Sequence, residues 1–344
     1  MLVGLVLAVV VVLAALAVIR QPPAEEARAS CGPGLTAASP ADEAPALAGG
    51  RPSSDRDRVE RIPVGTRPAS VAIAREGVWV AARQGVALVD PVRARQVGGA
   101  IPVGGGTPKD APYSIAVAED RLWVTRRDGY LESIDRETRE VVGKPIRYGD
   151  AAGDVALGGG SVWVNNFDDA YAGMVSRIDP CTGAISRFKV GREADTVRFA
   201  YGSIWVTDAA DGLVARLDPR TGRRQATIPG LDDPQDLGIG PGGVWVTQYG
   251  PQVVRRIDPA RNRLAGKDIK VGPDPAGVTI AKRSLWVPLY GNGTLTEVDL
   301  ASQQRVKRSR HVGTSPTDAA YGFGQVWVPD NNGDSITRVS VDGG

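Results

Sequence analysis

The sequence is poor in reactive side chains: its 344 residues include one histidine, two cysteines and two methionines. One imidazole excludes every site built on two. Two cysteines exclude a disulfide-rich scaffold and any four-cysteine zinc or iron–sulfur centre. Neither charge predominates, with 41 Lys+Arg against 39 Asp+Glu and a net charge of +2. That balance makes no electrostatic case for a nucleic-acid partner, because neutralising phosphates takes a concentrated basic face. The sequence shows no nucleophile elbow and no histidine-based metal motif. Gly104-Gly105-Gly106 is a turn without the helix N-terminus that phosphate binding would need.

Long apolar runs are also scarce, and the one present is N-terminal. Residues 1–19 are uninterrupted apolar or small, ending at Arg20. Roughly 20 such residues span a bilayer core as a helix, so 1–20 is expected to be a transmembrane segment. The alternative is a signal peptide cleaved after Ala27-Arg28-Ala29. It would lack a basic leading region, and its apolar run exceeds the usual length. A lipoprotein anchor at Cys31 lacks the apolar residue expected three positions earlier. Residues 21–57 follow, and 23 of these 37 are Pro, Ala, Gly or Ser, which makes them a flexible tether spanning about 35 Å. Arg20 and Arg28 would favour keeping that flank cytoplasmic. The expectation is nonetheless a single-pass cell-membrane protein with an extracytoplasmic head at 58–344, or a secreted head after cleavage.

What the sequence has in quantity is 43 Gly, 25 Pro and, unusually, seven Trp. The tryptophans fall at 79, 123, 163, 205, 245, 286 and 327, with spacings of 44, 40, 42, 40, 41 and 41. Each sits in one frame, from Gly77-Val78-Trp79-Val80 to Gln325-Val326-Trp327-Val328. Around it each unit reads as four short strands. The third strand ends in a turn such as Asp179-Pro180-Cys181-Thr182-Gly183, where Asp accepts from backbone N–H groups, Pro presets φ and Gly supplies the left-handed position. Asp90, Asp135, Asp218, Asp258 and Asp299 recur there as turn caps. A period of about 40 residues with four strands is a propeller-blade signature. The seventh unit stops after its third strand, and its missing strand stands before the first unit, at Arg58–Gly65. The expectation is an all-β, seven-bladed propeller closed by its N-terminal strand, preceded by the transmembrane helix and disordered tether. Alternation puts Trp on one face of the strand and both Val on the other, so the seven Trp are expected as inter-blade core.

The units Val-Trp-Val…Arg-Ile-Asp-Pro-x-Thr-Gly resemble the YVTN-type and streptogramin-lyase-like (virginiamycin B lyase) seven-bladed propellers over residues 58–344. The resemblance implies the fold and, for its lyase members, lactone opening by histidines, a glutamate and magnesium. Here His311 is the only histidine, so no catalytic residue carries over. Quinone-cofactor propellers share the Asp-x-x-Thr-Gly turn but continue into a Trp that this chain lacks.

Function is then sought where the inter-blade and second-to-third loops converge on the channel. Asp154, Asp236 and Asp318 each lie nine residues before their Trp, and Asp195 lies one residue further out in its own blade. Four carboxylates around one channel could hold Ca²⁺ or Mg²⁺, with Asp154, Asp236 and Asp318 as metal candidates. The alternative is that they bond local backbone N–H groups. The second-to-third loops add Asn165, Asn166, Phe167, Tyr171, Asp208, Gln248, Tyr249, Tyr290, Asp330 and Asn331. Rings among amides and carboxylates suit a protein, peptide or carbohydrate partner. Arg83, Arg126 and Arg127, from the first two blades, make one side of that face basic, and the acidic loop of the third blade lies beyond it. The run Arg305–His311 reads as a solvated edge. Cys31 and Cys181 could pair outside the cytoplasm. The functional expectation is a binding or sensing module without catalysis. The alternative is a metal-assisted lyase or hydrolase working through channel carboxylates.

Overall fold

The computed structural model describes residues 59–167, 172–306 and 309–341. The expected transmembrane helix, the tether, Cys31 and Tyr171 therefore lie outside the described residues. The described residues form seven antiparallel sheets around a channel, six built from consecutive strands in simple up-and-down order and the seventh from strands of both ends of the chain. Blade 1 runs Ser70–Ala74, Gly77–Ala82, Gly85–Asp90 and Arg95–Gln96, from the channel outwards. The first strands of blades 2 to 5 are Pro112–Val117, Val155–Gly158, Ala194–Ala200 and Pro234–Gly240, and those of blades 6 and 7 are Thr279–Ala281 and Ala320–Gly322. In blade 6 the outer position is filled by two short strands, Gln304–Arg305 and Arg310–His311, both paired with Thr294–Asp299.

Closure occurs as the sequence implies. Val59–Pro63 pairs antiparallel with Ser335–Ser340, in register from Val59↔Val339 to Pro63↔Ser335. A strand from one end of the chain thus completes the blade from the other, which leaves no long open edge in the ring.

The repeated Trp frame explains how the blades are held together. Every Trp is at most 3% exposed. Trp79 of blade 1 packs with Leu122 and Val124 of blade 2, and Trp123 with Val162 and Val164 of blade 3. Trp163 meets Ile204 and Val206, and Trp205 meets Val244 and Val246. Trp245 meets Leu285 and Val287, Trp286 meets Val326 and Val328, and Trp327 returns to Val78 and Val80 of blade 1. In each frame the ring faces one neighbouring blade and the flanking pair faces the other, as period-two alternation requires.

The outer turns also follow from their residues. Asp179 accepts from the N–H groups of Cys181 at 2.9 Å and Thr182 at 3.0 Å, and Asp218 caps its turn through Arg220 and Thr221. Where the second-to-third loop of blade 3 re-enters the sheet, Gly173 takes φ of 67°, and a Cβ there would stand 2.0 Å from the Gly191 carbonyl oxygen. Only glycine fits that approach. Cys181, in the outer turn of blade 3, is disulfide-bonded.

Candidate functional site

The first strands of all seven blades bring their leading residues to the channel mouth, and the second-to-third loops form a rim above it. The resulting cavity of about 550 Å³ is lined by the leading residues Ser70, Ser114, Asp154, Asp195, Thr196, Gln235, Asp236, Asp274 and Asp318. Arg198 and Tyr113, both on first strands, stand among them, and the rim adds Arg127, Phe167, Tyr249, Tyr290 and Asn331.

Arg198 organises the floor. Its guanidinium pairs with Asp154 and, at 2.8 Å, with Asp236. Burial works against its charge, but Asp154, Asp236 and Asp318 together hold it protonated more firmly than an ordinary arginine. The same carboxylates join neighbouring blades. Asp154 accepts from Ser114 Oγ of blade 2 at 2.6 Å and from Val197 N–H of blade 4 at 3.3 Å. Asp236 accepts from Val278 N–H of blade 6 at 2.9 Å. Asp318 accepts from Ser70 Oγ and Val71 N–H of blade 1, each at 3.1 Å. Burial pushes Asp236 up to about 6 against the pull of Arg198, and burial also raises Asp318.

Asp195 differs from these three. Its carboxylate lines the cavity and, among the described residues, has neither a hydrogen-bond donor nor a cation paired with it. Burial, reinforced by the charges of Asp154 and Asp236, pushes it up to about 8. At neutral pH it is largely a neutral acid, able to donate a hydrogen bond to a ligand.

The structure does not assemble Asp154, Asp236 and Asp318 into a metal centre. Arg198 stands between Asp154 and Asp236, and among the described residues no group of three or more His, Cys, Asp or Glu could hold an ion. A guanidinium between two carboxylates provides the positive charge that a cation would otherwise bring.

Of the expected site residues, Asp154, Asp195, Asp236, Asp318, Phe167, Tyr249, Tyr290 and Asn331 line the cavity. Five others are corrected: Asn165, Asn166, Asp208, Gln248 and Asp330 are each at most 2% exposed and do not reach the face. They stand two or three residues after the blade Trp, where the chain leaves the sheet, and all but Asn166 fasten inter-blade connections. Asn165 accepts from Asp154 N–H at 2.6 Å and donates to the Ala194 and Asp195 carbonyls. Asn166 donates to Ser176 Oγ at 3.3 Å. Asp208 accepts from the N–H groups of Glu193 and Asp211. Gln248 accepts from Asp232 N–H, and Asp330 from Thr314 and Ser315 N–H. Arg126 is likewise occupied, paired with Asp128 and Glu132.

Sequence reasoning missed Arg198, although a signal existed. Seven residues before each Trp the chain has Ala72, Ala116, Ala156, Arg198, Gly238, Thr279 and Ala320. One arginine among small residues marks a departure from the repeat. Tyr113 was also missed; it meets Phe167 edge-on at 5.9 Å and lies under the Arg127 guanidinium at 5.3 Å. Burial raises Tyr113, and burial pushes Tyr249 up to about 12, so both remain hydrogen-bond donors.

Comparison with solved structures finds this ring elsewhere. A streptogramin B lyase superposes with a TM-score of 0.71 at 14% identity, covering 83% of this chain and 98% of that one. The fold is that of the streptogramin lyase propellers. Virginiamycin B lyase from Staphylococcus aureus, in its selenomethionine form, matches with a TM-score of 0.70 at 13% identity, covering 83% of this chain and all of its own. A catalytically inactive histidine-to-alanine variant of the same lyase, with quinupristin, matches equally well. No protein-family model and no curated protein sequence matches the chain. At these identities the likeness to the lyases is one of fold, and function has to be argued from the residues at the mouth.

Proposed function

We propose that the chain is a membrane-tethered, extracytoplasmic binding or sensing module that seats a peptide-like segment in its channel mouth without turning it over. The observation carrying this reading is the mouth itself. Phe167, Tyr249 and Tyr290 line a cavity that has Asp274 in the link into blade 6 and Arg127 at the end of the second strand of blade 2. Rings supply contact area at small entropic cost, and opposed charges orient a chain that carries both signs. The single histidine, His311, is an exposed residue of the outer strand of blade 6 and does not line the mouth. That argues against the chemistry lost in the histidine variant of virginiamycin B lyase. The apolar run at residues 1–19 supports tethering, and the disulfide at Cys181 supports an oxidising compartment.

Panning the full-length chain in detergent against a random peptide library and a glycan array tests the reading. The expected result is saturable peptide binding weakened about tenfold or more by Tyr290→Ala or Phe167→Ala. Binding to glycans alone, or binding indifferent to both substitutions, would sink it. Asp195 favours a second reading, in which the mouth is a lyase or hydrolase site with Asp195 as proton donor. Turnover of lactones or cyclic depsipeptides that Asp195→Asn abolishes would establish that reading.

A further inference from the structure

A second cavity of about 280 Å³ adjoins the mouth on the side of blades 1 and 2, lined by Arg67, Arg83 and Arg127 with Pro108, Pro112 and Asn331 among its walls. Arg127 and Asn331 also line the mouth, so the two cavities share a wall. The three arginines come from different segments: the link into blade 1, the end of the second strand of blade 1, and the corresponding end in blade 2. Their backbones are pinned. Arg67 N–H donates to Asp334 Oδ1 at 3.0 Å, Arg83 N–H to the Thr66 carbonyl at 2.8 Å, and Arg127 N–H to the Ala111 carbonyl at 2.9 Å.

Their guanidinium groups are not pinned in the same way. Among the described residues none of the three pairs with a carboxylate or donates a hydrogen bond to protein. Arg127 is held only by the face of Tyr113. Acids stand in the same connections, but they are committed elsewhere. Asp334 accepts from the Arg67 backbone. Asp110 accepts from Gly105 N–H, Thr107 N–H and Thr107 Oγ1. Asp128 and Glu132 hold Arg126. The contrast with Arg198, which has two carboxylates to itself, is sharp. Three like charges around one concavity repel one another, and each retains a planar fork of donors suited to paired oxygens.

We infer that this cavity is an oxyanion subsite, seating a carboxylate, sulfate or phosphate group among Arg67, Arg83 and Arg127. Its volume admits such a group with a short stem, and the shared wall directs the remainder of the ligand into the mouth. For the ligand body the inference rests on the peptide reading above; for the anion it does not.

Titration calorimetry on the full-length chain in detergent, with inorganic phosphate and then sulfate, tests the subsite. Saturable one-site binding is expected, weakening about tenfold for each of Arg67→Gln, Arg83→Gln and Arg127→Gln and as ionic strength rises. Arg75→Gln and Arg283→Gln, at exposed arginines elsewhere, should leave it unchanged. Because the three side chains make no protein hydrogen bonds, the variants should melt with the parent, and that is measured alongside. No saturable binding of either anion, or equal losses in the two control variants, overturns the inference. A second arm compares one mouth-binding peptide with a free or an amidated C-terminus. A tenfold preference for the free acid joins the subsite to the peptide reading. Phosphate binding without that preference supports the subsite and counts against a peptide carboxylate as its occupant.

Discussion

The aspartates of the outer turns and those of the channel mouth are the same residue placed in opposite surroundings. Asp90, Asp135, Asp218 and Asp299 each accept from backbone N–H groups of their own turn, and those bonds hold them below the usual carboxylate range. Asp195, Asp236 and Asp318 are raised, first by burial and then by neighbouring carboxylates, Asp154 among them in each case. A turn brings its donors with it within three residues. A channel collects carboxylates from separate blades and dries them, and among the described residues Arg198 alone pairs with them. The comparison shows that a repeated aspartate is a structural cap where the local chain solvates it, and a chemically distinctive group where it does not.

The comparison breaks most severely at Arg198. Replacing it with Met leaves Asp154 and Asp236 buried without their cation, at an expected cost of about 3–5 kcal/mol in urea denaturation. The loss should be greater at pH 8 than at pH 5, where protonation relieves Asp236.

A smaller effect is expected at an outer turn. Asp90→Ala removes the acceptor for the N–H groups of Val92 and Arg93 and should cost about 1 kcal/mol. Because the folded state lowers the pKa of Asp90, its contribution is present above the ordinary carboxylate range and fades as pH falls through the lowered value.

The mouth should respond with the opposite sign. The folded state raises Asp195 to about 8, so it binds a proton that the unfolded chain has released, and stability declines as pH climbs from about 4 to 8. Asp195→Asn removes that decline. Its melting temperature should match the parent near pH 4 and exceed it at pH 8.5, by about 2–4 °C per kcal/mol relieved in a domain of this size. A parent and variant with parallel pH profiles would refute the raised value. The smallest change is expected from Tyr290→Ala, whose ring is 45% exposed, with stability altered by roughly 0.5 kcal/mol or less while ligand binding falls.

Much of this arrangement was legible because the chain repeats. The Trp frame, seen seven times, and the aspartate turn cap, seen six times, are local patterns, and the strand missing from the last unit stands before the first. Asp208, Gln248 and Asp330 were misread because loop position suggests exposure, whereas three residues past the Trp the side chain turns under the next connection. Asp195 and Arg198 lie three residues apart on one strand, yet the partners of Arg198 come from blades 3 and 5, and no string shows that meeting.

The sequence by itself determined the number of blades, the Trp-to-Val packing between them and the closure of the ring. Those features depend on strand alternation and turn chemistry, which act over a few residues. Only the tertiary structure decided which carboxylates share a cation, which one is left to hold a proton, and which arginines face a cavity without a carboxylate partner among the described residues. Each of those outcomes is set by desolvation and by charges that arrive from other blades, and neither has a local signature in the chain.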